Sequence, residues 1–96
     1  MLNQLKFPDE IAKYIAVREK KMRKRKKLTQ KELSARSGVT LASLKRFEQT
    51  GEISFVSLIK LAVVLDELNA FDSLFTTTVY HSIQEVIDER NSQTQR

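Results

Sequence analysis

TQKELSARSGVTLASLKRFEQ, residues 29–49, is the stretch on which the fold turns. Counting from Gln30, Leu33 is apolar at the fourth position and Ser34 is small at the fifth. Gly38 stands at the ninth, and Val39, Leu44 and Phe47 are apolar at the tenth, fifteenth and eighteenth. Two helices that meet at a steep angle across a short turn need this combination. The crossing needs a small side chain, the turn needs a residue at ease with positive φ, and the facing sides need apolar contacts. Thr29-Gln30-Lys31-Glu32 fits a capping box, in which the Thr hydroxyl accepts the N3 amide and Glu reaches back to the N-cap amide. Thr40 is the expected N-cap of the second helix. The spacing predicts helices over 30–37 and 41–49.

Outward from this pair, the remaining punctuation is sparse. Gly38 and Gly51 are the only glycines, and each falls where a helix should stop. Pro8 suits a first helical turn, and Asp9 and Glu10 suit the positive end of a helix dipole. A first helix is therefore expected from about residue 8 to residue 26, with Ile11, Ile15 and Met22 on one side. A fourth is expected after Ser54, reaching residue 68, with Phe55, Leu58, Leu61, Ala62 and Leu65 at helical spacing. A short fifth is expected over 70–75. Thr76-Thr77-Thr78-Val79-Tyr80 is β-prone and reads either as an exposed loop or as a pairing strand. Ser82-Ile83-Gln84-Glu85 repeats the capping-box pattern and predicts a last helix to about Glu89; residues 91–96 are polar and should fray. The expected class is all-α with five to six helices. Residues 1–75 form the main domain with a basic N-terminal helix, and residues 76–96 form a C-terminal extension.

The chain has 96 residues, 41% of them hydrophobic and 30% charged, with a net charge of +5. Its charge is unevenly placed. Residues 1–48 carry 14 Lys/Arg against 5 Asp/Glu, whereas residues 49–96 carry 3 against 7. A basic N-terminal half predicts a polyanionic partner there. The centre of that charge is the run Arg18, Lys20, Lys21, Arg23, Lys24, Arg25, Lys26 and Lys27, with Glu19 as the one opposing charge. Eight charges on a helix cannot share one face, so only part of the run is expected to meet the partner. A membrane surface is a poor candidate, because residues 16–27 offer only Val17 and Met22 as large apolar side chains.

Several classes of function lack the necessary residues. There is no Cys, and His81 is the single histidine, so thiolate or multi-histidine metal sites and Cys nucleophiles are excluded, and a Ser-His mechanism is disfavoured. No carboxylate cluster or phosphate-cradling glycine loop occurs. The expectation is a non-enzyme without metal or cofactor. His81 reads as a surface or interface residue, and Tyr14 and Tyr80 as packing residues. No apolar run reaches the roughly 18 residues of a membrane span. MLNQLKFPDE lacks the basic start and apolar stretch of a signal peptide. With no Cys, a cytoplasmic location is expected.

The segment 30–49 thus carries a helix-turn-helix pattern, and residues 23–68 resemble the lambda-repressor-like, or XRE, family of bacterial DNA-binding domains. The resemblance rests on Arg23, Leu28-Thr29-Gln30-Lys31-Glu32-Leu33, Gly38-Val39-Thr40, Arg46-Phe47-Glu48 and the apolar fourth helix. The flanks FPDEIAKYIAVRE and FDSLFTTTVYHSIQEVI further resemble HipB-like antitoxins, small regulators encoded beside HipA-like kinases. The family resemblance implies that Gln30, Thr40 and Ser43 bond DNA phosphates, that Leu41, Ala42 and Arg46 face base edges, and that Arg23 and Glu48 form a buried pair tying the first helix to the third. Lys45 reaches either a base or a phosphate. Lys24 and Lys26, beside the second helix, are added as phosphate contacts on charge. One departure matters: many relatives carry Gln at the position of Leu41, which can bond adenine bidentately. Leu41 and Ala42 offer only apolar contact to thymine methyls, leaving Arg46 as the strong base reader, with guanine O6/N7 as its target.

The expected function is a sequence-specific transcriptional repressor that binds operator double-stranded DNA as a homodimer. At a finer level, it is the autoregulating antitoxin of a HipA-like kinase toxin. A restriction–modification controller would share the fold. Val63, Val64, Phe71, Leu74, Phe75, Val79, Tyr80, Ile83, Val86 and Ile87 are more apolar groups than so small a core requires; they either dimerise the chain or fold back on it. The alternative is a protein-interaction module, an adaptor or antitoxin whose main role is holding a partner.

Overall fold

The computed structural model describes residues 2–4 and 7–77. Four α-helices lie among them: α1 (Pro8–Arg25), α2 (Gln30–Ser37), α3 (Leu41–Thr50) and α4 (Phe55–Val64). Turns of 3-10 helix occupy Leu2–Gln4 and Leu68–Phe71. The described residues are all-α, with four α-helices where five to six were expected. The expected last helix after Ser82, and Thr78 to Tyr80, lie outside the described residues.

The central pair of helices forms for the reasons read from its sequence. Thr29 Oγ1 accepts the Glu32 amide at 3.0 Å and Glu32 Oε1 accepts the Thr29 amide at 2.9 Å, which starts α2 with two orphan amides satisfied. Gly38 stops it at φ 80°. The turn is then stitched by serines: Ser34 Oγ donates to Val39 O at 2.6 Å, and Val39 N donates to Ser37 Oγ at 3.1 Å. Thr40 Oγ1 accepts the Ser43 amide at 3.1 Å and opens α3, and Ser54 caps α4 in the same way. Leu33, Leu44, Phe47 and Leu61 are the largest fully buried side chains, and Ala16, Leu28, Val39 and Leu65 complete the core around them.

Two helices end without glycine. After α1, Lys27 takes φ 58°, with Leu28 N donating to Arg23 O at 3.1 Å and Lys27 N to Lys24 O at 2.9 Å. After α4, Asp66 takes φ 58°, with Glu67 N donating to Ala62 O at 2.8 Å and Asp66 N to Val63 O at 3.3 Å. Both are Schellman closures. The second explains why α4 stops at Val64 instead of reaching residue 68. The expected helix over 70–75 is replaced by the 3-10 turn and a further turn, whose amides bond three residues back (Ala70 to Glu67, Asp72 to Asn69, Leu74 to Phe71). Thr76 Oγ1 closes this segment on Ser73 O at 2.8 Å, and Thr76 and Thr77 form no strand. Phe55, read at helical spacing with Leu58, Leu61, Ala62 and Leu65, is 57% exposed and meets Phe71 edge-on at 5.7 Å.

Candidate nucleic-acid interface

Burial divides α3 into two faces. Leu44 and Phe47 are 0% and 1% exposed, and anchor the helix on α1 and α2 within the common core. Ala42, Ser43, Lys45 and Arg46 are exposed, and Leu41 is half-buried at the rim. The outward face therefore starts with one small residue, one hydroxyl and two cations, and Gln49 and Thr50 are exposed beyond them; the other side of the helix cannot shift without opening the core. Arg46 is held at its base: its Nε donates to Glu52 Oε2 at 3.0 Å, and Nη2 donates to the same oxygen.

The residues expected to meet a phosphate backbone fall on neighbouring elements. Thr40 is exposed at the N-terminus of α3, its oxygen accepting the Ser43 amide and its hydroxyl proton still available. Gln30 opens α2, but its Nε2 donates to Glu48 Oε1 at 2.9 Å. Only its second amide hydrogen and its helix-terminal backbone N–H remain for an anion. Lys24 is exposed. Lys26 Nζ lies 3.8 Å from Asp66 Oδ2, so the acid that ends α4 competes with a phosphate for this lysine.

Behind the exposed face lies a buried polar cluster. Arg23 donates through Nε and Nη2 to the two oxygens of Glu48, both at 2.9 Å, and through Nη1 to Leu28 O at 2.9 Å. With Gln30 on the same carboxylate, one glutamate of α3 holds α1, the connecting loop and α2 in register. Burial alone would push Glu48 upward, but hydrogen bonds from Arg23, Glu19 and Gln30 outweigh it and hold the carboxyl below its ordinary range. Glu19, on α1, is 8% exposed, and neither of its oxygens meets an N–H or O–H donor. The arrangement that satisfies it is a protonated carboxyl donating to Glu48. Burial first, then that hydrogen bond and the Glu48 charge, push Glu19 up to about 9 against the opposing pull of Arg23 and Lys20.

Sequence reasoning missed two of these residues. Glu19 sits inside a run of lysines and arginines and was only counted against their charge; its available signal was the four-residue spacing to Arg23, which puts both on one helix face. Glu52 follows the glycine that ends α3, and nothing in its spacing to Arg46 marks a pair until the turn is built. Arg18, a further cation of the basic run, lies over the Tyr14 ring at 4.4 Å.

No group of three metal-ligating residues occurs among the described residues, and no described helix is long and apolar enough to cross a membrane. A family model described as helix-turn-helix matches residues 20–69, which is half of the chain. Neither a curated protein nor a solved structure matches it.

Proposed function

Because this chain belongs to the XRE-type helix-turn-helix family of DNA-binding domains, we propose that it is a cytoplasmic transcriptional repressor that binds operator DNA with α3 in the major groove and acts by binding, not by catalysis. The observation that carries this reading is the division of α3, with Leu44 and Phe47 locked in the core and Ala42, Ser43, Lys45 and Arg46 exposed. Leu41 and Ala42 contact thymine methyls and Arg46 takes guanine O6/N7, while Lys45 reaches a base or the adjoining phosphate. Thr40, Ser43, Gln30, Lys24 and Lys26 hold phosphates, which fixes register without reading sequence.

The chain acts as a homodimer, with two copies of α3 about 34 Å apart on one DNA face. Support comes from the apolar side chains left on the surface: Val56 is 62% exposed, Val63 55%, Leu68 50% and Leu74 46%. The same surface favours a second reading, in which the protein holds a partner, and the flanking resemblance makes that partner a HipA-like kinase toxin that the chain neutralises while repressing its own operon.

The test is binding to the DNA upstream of its own gene across a salt series. Six phosphates neutralised per dimer give a log–log slope near −5. Saturable, sequence-dependent binding with such a slope supports the repressor, and salt-insensitive or absent binding beside tight capture of the neighbouring gene product supports the interaction module.

A further inference from the structure

We propose that Glu52 is a positioning residue that sets base specificity by orienting Arg46; this rests on the reading that Arg46 faces the bases.

The pair is built into a closed local frame. Arg46 Nε and Nη2 both donate to Glu52 Oε2. Thr50 Oγ1 donates to Arg46 O at 2.8 Å and accepts the Glu52 amide at 3.1 Å, so one hydroxyl bonds the backbone of both partners. Between them Gly51 reverses the chain at φ 83°, its amide on Phe47 O at 2.7 Å. That turn is pressed against α1: a Cβ at Gly51 would stand 2.7 Å from the Ala12 carbonyl carbon and 2.8 Å from the Lys13 nitrogen. Core contact, turn, hydroxyl and carboxylate therefore follow in sequence, and the last of them fixes a guanidinium on the exposed face of α3.

The edge that Glu52 occupies is the Nε/Nη2 side. Nη1 and the outer hydrogen of Nη2 remain as the end-on fork, which is the edge that meets guanine O6 and N7 bidentately. An unrestrained arginine must lose its rotamer freedom on binding, and one already held loses less. Glu52 also places a negative charge beside the groove. Where the facing base is not guanine, the free fork gains no bidentate partner to offset the repulsion between the carboxylate and phosphate, so wrong sites are disfavoured as well as the right one favoured. Exposures of 69% and 62% for the two side chains leave the pair little to do for the fold.

The experiment uses the full chain, wild type and with Glu52→Gln, Glu52→Ala, Arg46→Ala and Arg46→Ala/Glu52→Ala, against a duplex DNA pool with a randomised central window. Bound sequences are counted, and affinity is then measured on the enriched duplex and on a scrambled duplex of the same composition. Arg46→Ala should erase a guanine preference at one position per half-site. Both Glu52 variants should weaken that same preference by about two- to fivefold and bind the scrambled duplex about twofold more tightly, and in the Arg46→Ala background Glu52→Ala should leave base choice unchanged. If the Glu52 variants keep the guanine preference that Arg46→Ala loses, or bind the enriched duplex more tightly with selectivity intact, Glu52 is a bystander or a competitor and the positioning role is overturned. If Arg46→Ala itself keeps the preference, or no sequence enriches, the base reading beneath the proposal fails and the proposal goes with it.

Discussion

Arg23–Glu48 and Arg46–Glu52 join the same two side-chain types through α3, yet the first pair is 8% and 2% exposed and the second 69% and 62%. The buried pair makes a two-oxygen fork, adds a bond to Leu28 O and shares its carboxylate with Gln30. The exposed pair uses a single carboxylate oxygen and leaves half of the guanidinium unspent. Burial converts one pair into a bolt between helices, because breaking it strands a charge where water cannot reach. Exposure leaves the free fork of the other open to a ligand while Glu52 keeps its own edge. The largest effect should therefore come from Arg23→Ala, which leaves Glu48 buried and uncompensated. A loss of about 3–5 kcal/mol in urea denaturation is expected. Arg23→Lys should recover little, since an ammonium cannot span both oxygens.

The turn that carries the exposed pair tests the comparison from the other side. Gly38 and Gly51 share a left-handed φ, 80° and 83°, but nothing lies within 4 Å of a Cβ at Gly38, whereas at Gly51 the α1 backbone is already in the way. Gly51→Ala should cost about 2–4 kcal/mol, strain and clash together. Gly38→Ala should cost about 1 kcal/mol, the conformational penalty alone. Thermal unfolding of the two variants reads the difference directly. Equal losses would mean that α1 yields at Ala12 and that the frame around Glu52 is looser than its contacts imply.

Glu19 sharpens the account of the buried pair through pH. Its carboxyl ionises near 4.5 in the unfolded chain but is pushed up to about 9 in the fold. Between these values the folded state binds the extra proton. The stabilisation from the neutral carboxyl is complete below the lower value and is lost as pH rises towards the upper one, by at most about 1.4 kcal/mol per pH unit. Glu48 from α3, and Arg23 and Lys20 from α1 itself, are the charges that act on it. Glu19→Gln keeps a donor for Glu48 without a proton to lose. The variant should match the wild type in urea denaturation at about pH 4 and exceed it increasingly as pH rises towards about 9. Parallel curves would mean that Glu19 is ionised in the fold.

What the sequence disclosed follows the same division between local and non-local causes. The starts of α2, α3 and α4 were legible because Thr29, Thr40 and Ser54 act on amides three residues away, and the ends of α2 and α3 because glycine is the residue that takes positive φ without cost. The ends at Lys27 and Asp66 were not, since a lysine among lysines and an aspartate after a leucine carry no mark of a left-handed cap. Tertiary position decides there: Leu28 and Leu65 are 8% and 3% exposed beside these caps. The buried pair could be expected from family likeness, but Glu19 could not, because charge counting sums an acid in a basic run and says nothing of its burial. Glu52 was hidden for a related reason, as its partner lies six residues back across a reversal of the chain.

The smallest effect completes the contrast. A double-mutant cycle on stability, using Arg46→Ala and Glu52→Ala, should return a coupling below about 1 kcal/mol, against several times that for Arg23 and Glu48. Side chains exposed to this degree trade one another for water at almost equal free energy, and at about 0.1 M salt the Debye length of about 10 Å leaves only the direct contact unscreened. Raising the salt to about 1 M should remove much of what coupling remains, whereas the buried pair, closed off from ions, should hardly respond. A coupling at Arg46–Glu52 as large and as salt-resistant as the buried one would break the comparison: the arginine would then be part of the fold, and its replacement would cost stability as well as base choice.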